Sequence, residues 1–90
     1  MASDKDKKNK IDVVVVVSGV PRPAELNVHE PLRNLVRDVL SASGDAGRDP
    51  AEFELRTDDG RLLDLSSNAL DAGLASGTTL FLNPRAGAGG

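Results

Sequence analysis

The chemistry that this sequence offers is concentrated at its two ends. The last residues are small and close with Gly89 and Gly90, which lack a Cβ and adopt backbone conformations closed to other residues. The backbone there can be approached closely, and Gly90 carries a carboxylate. Near the other end lie the side-chain amines of all the lysines in the chain: Lys5, Lys7, Lys8 and Lys10.

Between the two ends, the sequence has few residues of the kinds that act as catalytic groups or metal ligands. There is no cysteine, which excludes disulfides, thiolate metal sites and thiol catalysis by this chain. His29 is the single histidine, and we interpret it as an exposed or helix-capping residue. The sequence Asp58-Asp59-Gly60 is typical of a tight turn, and its spacing to Asp64 matches no oxygen-ligand loop. We expect no metal site, no resident cofactor and no enzymatic activity.

Length and charge narrow the class of function further. A chain of 90 residues forms one small domain. Such a domain buries only about 60% of the surface of its unfolded chain and leaves little room for a separate catalytic cleft. Eleven basic against fourteen acidic residues give a net charge of -3, which argues against nucleic-acid binding. No apolar run approaches the roughly 20 residues of a membrane span, and no secretory apolar region follows Met1. We expect a cytoplasmic module, monomeric when free, that acts through protein partners.

Composition divides the chain into three segments. Residues 1–10 are highly charged without apolar periodicity and are predicted to be a disordered N-terminal arm. Residues 11–83 hold nearly all the leucine, valine and phenylalanine and are predicted to form the folded domain. Residues 84–90 are predicted to be a flexible tail that ends in Gly-Gly.

Hydrophobic periodicity predicts a hairpin followed by one helix. Residues 11–18 hold five consecutive valines, which suit a strand buried on both faces. Residues 24–29 alternate strictly, and a turn is predicted between the two strands over residues 19–23. The helix is indicated by an apolar stripe that begins after Pro31 and stops before Gly44, a residue suited to a left-handed C-cap. The stripe consists of Leu32, Leu35, Val36, Val39 and Leu40.

The second half of the chain returns to strand patterns. Residues 52–57 alternate, and after a tight turn residues 61–65 are predicted to be a short return strand. Residues 66–77 are a connector with two leucine plugs, and residues 79–83 form the last strand. The side chains predicted to enter the core from these segments are Phe53, Leu55, Leu70, Leu74, Leu80 and Leu82.

This order of elements has few compact solutions and predicts the α+β class. The helix covers one face of a mixed sheet of four to five strands, so that two layers enclose one core. The helical crossover after the hairpin makes the last strand a natural parallel neighbour of the first, in the centre of the sheet. The predicted fold is therefore the β-grasp.

The segment 70–82 (LDAGLASGTTLFL) resembles the connector and last strand of the ubiquitin-like proteins. It holds a leucine plug, a glycine–apolar pair, a glycine turn and Thr-Leu-x-Leu, and an arginine and a terminal Gly-Gly follow. The resemblance covers residues 11–90. The tail is most similar to bacterial ubiquitin-like modifiers encoded beside activating-enzyme-like, conjugating-enzyme-like and deubiquitinase-like proteins, and some such systems serve in defence against phage. Pro84 and the small residues 86–88 depart from the proline-free, more basic tail of ubiquitin.

The resemblance implies a protein modifier that partner enzymes join to a target protein. The carboxylate of Gly90, reached past Gly89, would form an acyl adenylate and then a thioester on a cysteine of the activating enzyme. ATP and magnesium would be used by that enzyme. A conjugating-like enzyme would transfer the chain to an amine, and a deubiquitinase-like protease would be a further partner. Arg85 and Gly87 are expected to bind the activating enzyme, Arg85 by pairing with an acidic groove. The lysines near the N-terminus would accept the chain if it is joined to itself.

The face of the sheet opposite the helix is the predicted partner-binding surface. Val14 and Val16 face outward if the alternate residues of the first strand meet the helix, and Phe81 joins them if the last strand lies beside the first. Such a surface resembles the apolar sheet face with which ubiquitin-like proteins meet their partners. Central strands are also often apolar on both sides for packing alone.

Two other functions are compatible with the sequence. A sulfur carrier shares the fold, the size and the Gly-Gly end, but it accepts sulfur as a terminal thiocarboxylate. A non-covalent adaptor would use only its sheet face. The charged arm and the connector with its leucines favour the modifier, while the acceptor group, lysine or hydroxyl, is left open.

Overall fold

A computed structural model describes residues 9–44 and 47–85 of the chain. In that part, a turn of 3-10 helix at Pro50–Glu52 precedes the third strand. The strands are β1 (Lys10–Val17), β2 (Val20–Asn27), β3 (Phe53–Thr57) and β4 (Thr79–Pro84), and the helices are α1 (Leu32–Ala42) and α2 (Ala69–Ala72).

The described strands form one mixed sheet of four strands in the order β2-β1-β4-β3. β1 pairs with β2 as an antiparallel hairpin and with β4 in parallel, and β3 pairs antiparallel with β4. The central position of β1 and β4 confirms the arrangement expected from their apolar residues on both faces. Because α1 packs across one face of this sheet, the fold is the predicted β-grasp.

The core lies between α1 and the sheet. α1 buries its whole apolar stripe, since residues three and four apart share one side of a helix. Alternate valines of β1 and the two leucines of β4 meet this stripe from the sheet. Pro31 is the N-cap of α1, one residue before the first turn in which it was predicted. Gly44 has a φ of 86°, which matches the predicted left-handed C-terminal cap.

The second strand starts earlier than predicted. The sequence placed a turn over residues 19–23, but β2 begins at Val20 and the turn is the two-residue Ser18–Gly19, with φ angles of 52° and 84°. Pro21 and Pro23 suggested the longer turn because proline lacks the N–H that a sheet ladder requires. β2 is an edge strand, however, where a proline nitrogen that faces away from the sheet costs no ladder hydrogen bond.

Residues 61–65 do not form the predicted return strand. They contribute one isolated bridge, between Leu62 and Arg56, to the outer edge of β3. Leu63 N donates to Leu55 O at 2.9 Å, and the Leu63 side chain is buried. The segment therefore covers the edge of β3 without continuing as a strand.

The connector over residues 66–77 contains the short helix α2, which the sequence analysis did not predict. Asn68 caps this helix by accepting a backbone hydrogen bond of 2.8 Å. Ala69 is fully buried, whereas 60% of Leu70 is exposed. The prediction that Leu70 is a plug is wrong, because the helix turns the neighbouring alanine toward the core, while Leu74 does pack against it.

The folded body reaches slightly beyond the predicted segment limits. β1 begins at Lys10, which the sequence placed in the arm, and β4 ends at Pro84, which it placed in the tail. Arg85 N then donates to Glu52 O at 2.9 Å. The described helices are too short to cross a membrane.

Candidate functional site

The predicted partner-binding residues Val14, Val16 and Phe81 lie on the face of the sheet opposite α1. The register places Val16 beside Phe81 of β4, and all three side chains are half-buried. On the other side of β1, the register places Pro23 beside Val14 and Pro21 beside Val16. We call these five residues the open face: Val14, Val16, Pro21, Pro23 and Phe81.

Charged side chains border the open face. Arg56 of β3 is the cross-strand neighbour of Phe81. Its Nε lies 3.2 Å from Glu54 Oε2, and its Nη1 donates to a backbone carbonyl at 2.9 Å, so the guanidinium is held in place. Toward the start of β1, the register places Asp12 beside Glu25. An apolar centre with a charged border is typical of a surface that binds another protein.

The edges of the described sheet are closed to an additional strand. Val14 N donates to Thr78 O at 3.0 Å, so the backbone N–H and C=O of Val14 point toward β4. The backbone N and C=O of its neighbour Pro23 on β2 therefore point away from the sheet. Pro21 is two residues away, so its backbone N and C=O also point away from the sheet. Neither proline has the N–H that an added strand would need. At the other edge, residues 61–63 pair with β3. These features disfavour an added strand and favour a partner that docks through side chains.

Pro21 and Pro23 are site residues that the sequence reasoning missed. The available signal was the alternation of side chains along the strand. The inward positions that include Leu26 and Ala24 extend toward the N-terminus to Arg22 and Val20. Arg22 concealed this pattern because it is charged, although it lies half-buried on the inward side of β2. Its Nε is buried there without a hydrogen-bond partner among the described residues.

The chain leaves the described body at Arg85, beside a groove of mixed character. We call this the tail-exit groove, and its lining includes an apolar wall and three charged groups. Leu62 in this wall is 55% exposed. The lining residues used below are Phe53, Glu54, Leu62, Asp64, Leu65 and Arg85.

Two exposed aspartates accept local hydrogen bonds that favour their charged form. Asp64 accepts from the Ser66 hydroxyl at 2.7 Å and from Ser66 N at 2.9 Å, which holds the pKa of Asp64 below its ordinary value. The Thr57 hydroxyl donates to Asp59 and lowers the pKa of Asp59 in the same way. Both aspartates stabilise turns.

His29 and the acidic residues show no arrangement for metal chemistry. His29 is exposed in the turn before α1, where its backbone N–H donates to Asn27 Oδ1 at 2.9 Å. Within residues 9–44 and 47–85, no three histidine, aspartate or glutamate side chains are grouped to hold a metal ion.

The predicted conjugation and linkage residues are mostly beyond the described part of the chain. Lys10 is described: its Nζ lies 3.9 Å from Glu25 Oε1, and both side chains are about half exposed to solvent. The predicted residues outside the described ranges are Lys5, Lys7, Lys8, Gly87, Gly89 and Gly90.

Solved structures similar to this chain share its ubiquitin-like β-grasp fold. A ubiquitin of Caldiarchaeum subterraneum is 19% identical, with a TM-score of 0.69 over 84% of this chain and 94% of that one. A designed protein described as based on ubiquitin is 15% identical, with a TM-score of 0.73 over 86% of this chain and 90% of that one. At these identities the likeness shows the fold alone.

The sequence comparisons give the family. The uncharacterized protein y4jI of Sinorhizobium fredii is 33% identical over 81 residues, which cover 90% of this chain and 62% of that protein. The chain thus spans less than two thirds of the length of this relative. A family model described as "Protein of Unknown function (DUF2604)" matches residues 6–90. The chain therefore belongs to the DUF2604 family.

Proposed function

We propose that this chain is a ubiquitin-like protein modifier whose Gly90 carboxylate is activated by a partner enzyme and joined to an amine of a target protein. The proposal draws on the ubiquitin-like fold, the Gly-Gly sequence of the tail and the polar, lysine-bearing N-terminal segment. A cytoplasmic enzyme pair, one activating and one conjugating, would supply the chemistry. The chain would supply the carboxylate and the surfaces by which these enzymes hold it.

The observation that carries the proposal is the short path from the rigid sheet to the tail. β4 is a central strand, and it runs directly to Pro84 and then to Arg85, whose N–H is bonded to Glu52 O at 2.9 Å. Gly90 is the fifth residue after this fixed point. A body anchored this close to a Gly-Gly carboxylate is suited to presenting that carboxylate to an enzyme.

Each step of the proposed reaction has a defined leaving group. A carboxylate oxygen of Gly90 attacks the α-phosphorus of ATP, which forms the acyl adenylate and releases pyrophosphate. A cysteine thiolate of the activating enzyme then attacks the acyl carbon, which forms a thioester and releases AMP. An amine of the target finally displaces the thiolate, loses a proton and forms an amide. Gly89 keeps the path to the reacting carbon free of side chains.

The open face is proposed to be the surface that a partner binds. Its five apolar residues are contiguous across β2, β1 and β4, and its border carries fixed charge at Arg56 and Glu54. Strand addition is blocked at the prolines of β2, so side-chain contact on this face is the route left to a partner there. We place the conjugating enzyme, or a protease that removes the modifier, on this face.

The tail also supports a proposal about the biological setting. Its similarity to bacterial modifiers of phage-defence systems leads us to assign this chain to defence against phage. Phage should then form fewer plaques on cells that carry the chain with its activating enzyme than on cells that carry the same genes with Gly90 deleted. Equal plaque numbers would contradict the defence role and leave the conjugation chemistry intact.

Thioester formation tests the proposed reaction directly. The purified chain is incubated with ATP, magnesium and the adenylating enzyme of its source, and the products are separated without reducing agent. We expect a covalent adduct that thiols release, its absence when Gly90 is deleted, and a strong loss for Gly89→Phe. Ala86→Ser is the matched control, since it changes the tail without adding bulk near the carboxylate. An adduct that persists without Gly90 would overturn the proposal.

A further inference from the structure

Leu62 is an exposed leucine whose backbone is fixed by its neighbours. Leu63 N donates to Leu55 O at 2.9 Å, and the buried Leu63 side chain anchors the segment to β3. The Leu62 side chain is nevertheless 55% exposed. Single exposed leucines are ordinary on protein surfaces, so exposure alone identifies nothing. The position of Leu62 is informative, because it lines the groove from which the chain departs at Arg85.

The groove lies close to the residue on which the proposed enzyme acts. The five residues after Arg85, residues 86–90, span at most about 18 Å when fully extended. An enzyme that reacts with the Gly90 carboxylate must bring its nucleotide and its cysteine within that distance of Arg85. The protein surface around its channel is therefore brought close to the body next to Arg85, where the groove opens.

The side chains of the groove define what that surface has to present. Leu62 offers apolar area. Glu54 is already paired with an arginine at 3.2 Å, whereas Arg85 has no carboxylate within ion-pair distance among the described residues. Asp64 is exposed and held in its charged form by two hydrogen bonds. The positive charge of Arg85 attracts a carboxylate of the partner, and the negative charge of Asp64 repels it. The pair therefore favours one orientation of the partner along the groove.

We infer that the tail-exit groove is the docking site of the activating enzyme, which places an apolar side chain against Leu62 and a carboxylate against Arg85. This inference rests on the proposed function, since it concerns the enzyme that adenylates Gly90. It separates two surfaces by role: the groove serves activation, and the open face serves later partners. None of the five residues of the open face lines the groove, and the two surfaces adjoin at Glu54.

ATP–pyrophosphate exchange by the purified activating enzyme measures docking and chemistry separately. The exchange rate is followed against the concentration of wild-type chain and of Leu62→Ser. Because the enzyme covers Leu62 before and during reaction alike, we expect the KM for the chain to rise about tenfold, which corresponds to about 1.4 kcal/mol, with kcat unchanged. Leu70→Ser is the matched control, since Leu70 is 60% exposed on α2 and does not line the groove.

A second variant tests the charged end of the groove. Arg85→Glu should raise KM at least as much as Leu62→Ser, because it meets the partner carboxylate with like charge. A KM for Leu62→Ser equal to that of wild type and of Leu70→Ser overturns the inference while the proposed function stands. A wild-type chain that no adenylating enzyme activates overturns both.

Discussion

Asp64 and Ser66 link the stability of the protein to pH at the residue scale. The Ser66 hydroxyl and N–H stabilise the charged carboxylate, so the pKa of Asp64 in the folded protein lies below the ordinary value of 3.8. The folded state therefore binds this proton less readily than the unfolded chain. The hydrogen bonds contribute stability above the ordinary pKa, and this contribution is lost as the pH falls through the lower, folded-state pKa.

Removal of the hydroxyl tests this linkage. Ser66→Ala should lower the urea midpoint more at about pH 6 than at about pH 2, because protonation of the Asp64 carboxyl removes the charge that the hydroxyl stabilises. Ser41→Ala, on the exposed side of α1, is the control and should shift the two midpoints equally. A Ser66→Ala effect of the same size at both pH values would show that the hydroxyl acts independently of the charge on Asp64.

Leu35 carries the second prediction at this scale. It is 4% exposed on the inward side of α1, whereas Leu70 is 60% exposed on α2. Truncation of a buried leucine removes its transfer free energy and leaves a cavity, so Leu35→Ala should cost about 2–5 kcal/mol of unfolding free energy. Leu70→Ala should change it by less than about 0.5 kcal/mol. Equal urea midpoints for the two variants would contradict the assignment of the core face.

The edge strand β2 gives a prediction at the scale of an element. Pro21 and Pro23 leave its outer edge without two N–H donors, and this protects the edge from pairing with another chain. Replacing both with valine should keep the fold and increase self-association, because valine restores the donors and favours strands. Light scattering at rising protein concentration measures the effect. Arg22→Val is the control, as it adds strand propensity without a new donor. A double variant that stays as monomeric as the control would contradict this role for the prolines.

The elements also show what the sequence could predict and what it could not. The helix α1, the central strand β1 and the last strand were predictable from hydrophobic periodicity. The helix has one apolar face, and each of the two strands has apolar residues on both faces. The start of β2 was not predictable, because proline usually indicates a turn. Only the assembled sheet shows that β2 is an edge strand, in which proline is tolerated. The segment over residues 61–65 has the composition of a strand, but only the fold decides that it bridges β3 at a single point.

The candidate site was predictable in part for the same reason. The outward direction of Val14, Val16 and Phe81 follows from the alternation of side chains along a strand and from the parallel pairing of β1 with β4. The tail-exit groove does not follow from any local pattern. It depends on the packing of residues 61–65 beside β3 and on where Arg85 leaves the sheet, which are properties of the assembled fold.

The distribution of lysine gives a prediction for the whole molecule. The lysines lie within the first ten residues, and Lys10 begins β1, so substitution is a cleaner test than truncation. We predict that chains of the modifier on itself form only through these lysines and the N-terminal amine. Replacing the lysines with arginine should remove all self-conjugates except those on the N-terminal amine, while attachment to other proteins continues. The residues to replace are Lys5, Lys7, Lys8 and Lys10.

Peptide mapping reads the outcome of that experiment. Digestion of the self-conjugates after Arg85 should place every remnant of the tail, Ala-Gly-Ala-Gly-Gly, on an amine of the first ten residues. The arginine variant keeps the charge of the N-terminal segment, so a loss of conjugates reports the loss of the amines. A remnant on a serine or threonine of the folded body would contradict the prediction and indicate ester formation.

The central claim is that the Gly90 carboxylate becomes an acyl donor, and the intact mass of the chain tests it most directly. The chain is incubated with ATP, magnesium and its adenylating enzyme, and the mass of every species is measured without reducing agent. We predict a species with the summed mass of the chain and the enzyme less one water. A small thiol should split it into free enzyme and a chain that carries that thiol as a new thioester, and mild base should return the unmodified chain. A free chain that has gained one sulfur atom in place of one oxygen would identify a sulfur carrier, and a chain of unchanged mass with no adduct would identify a non-covalent adaptor. Either result would contradict the account.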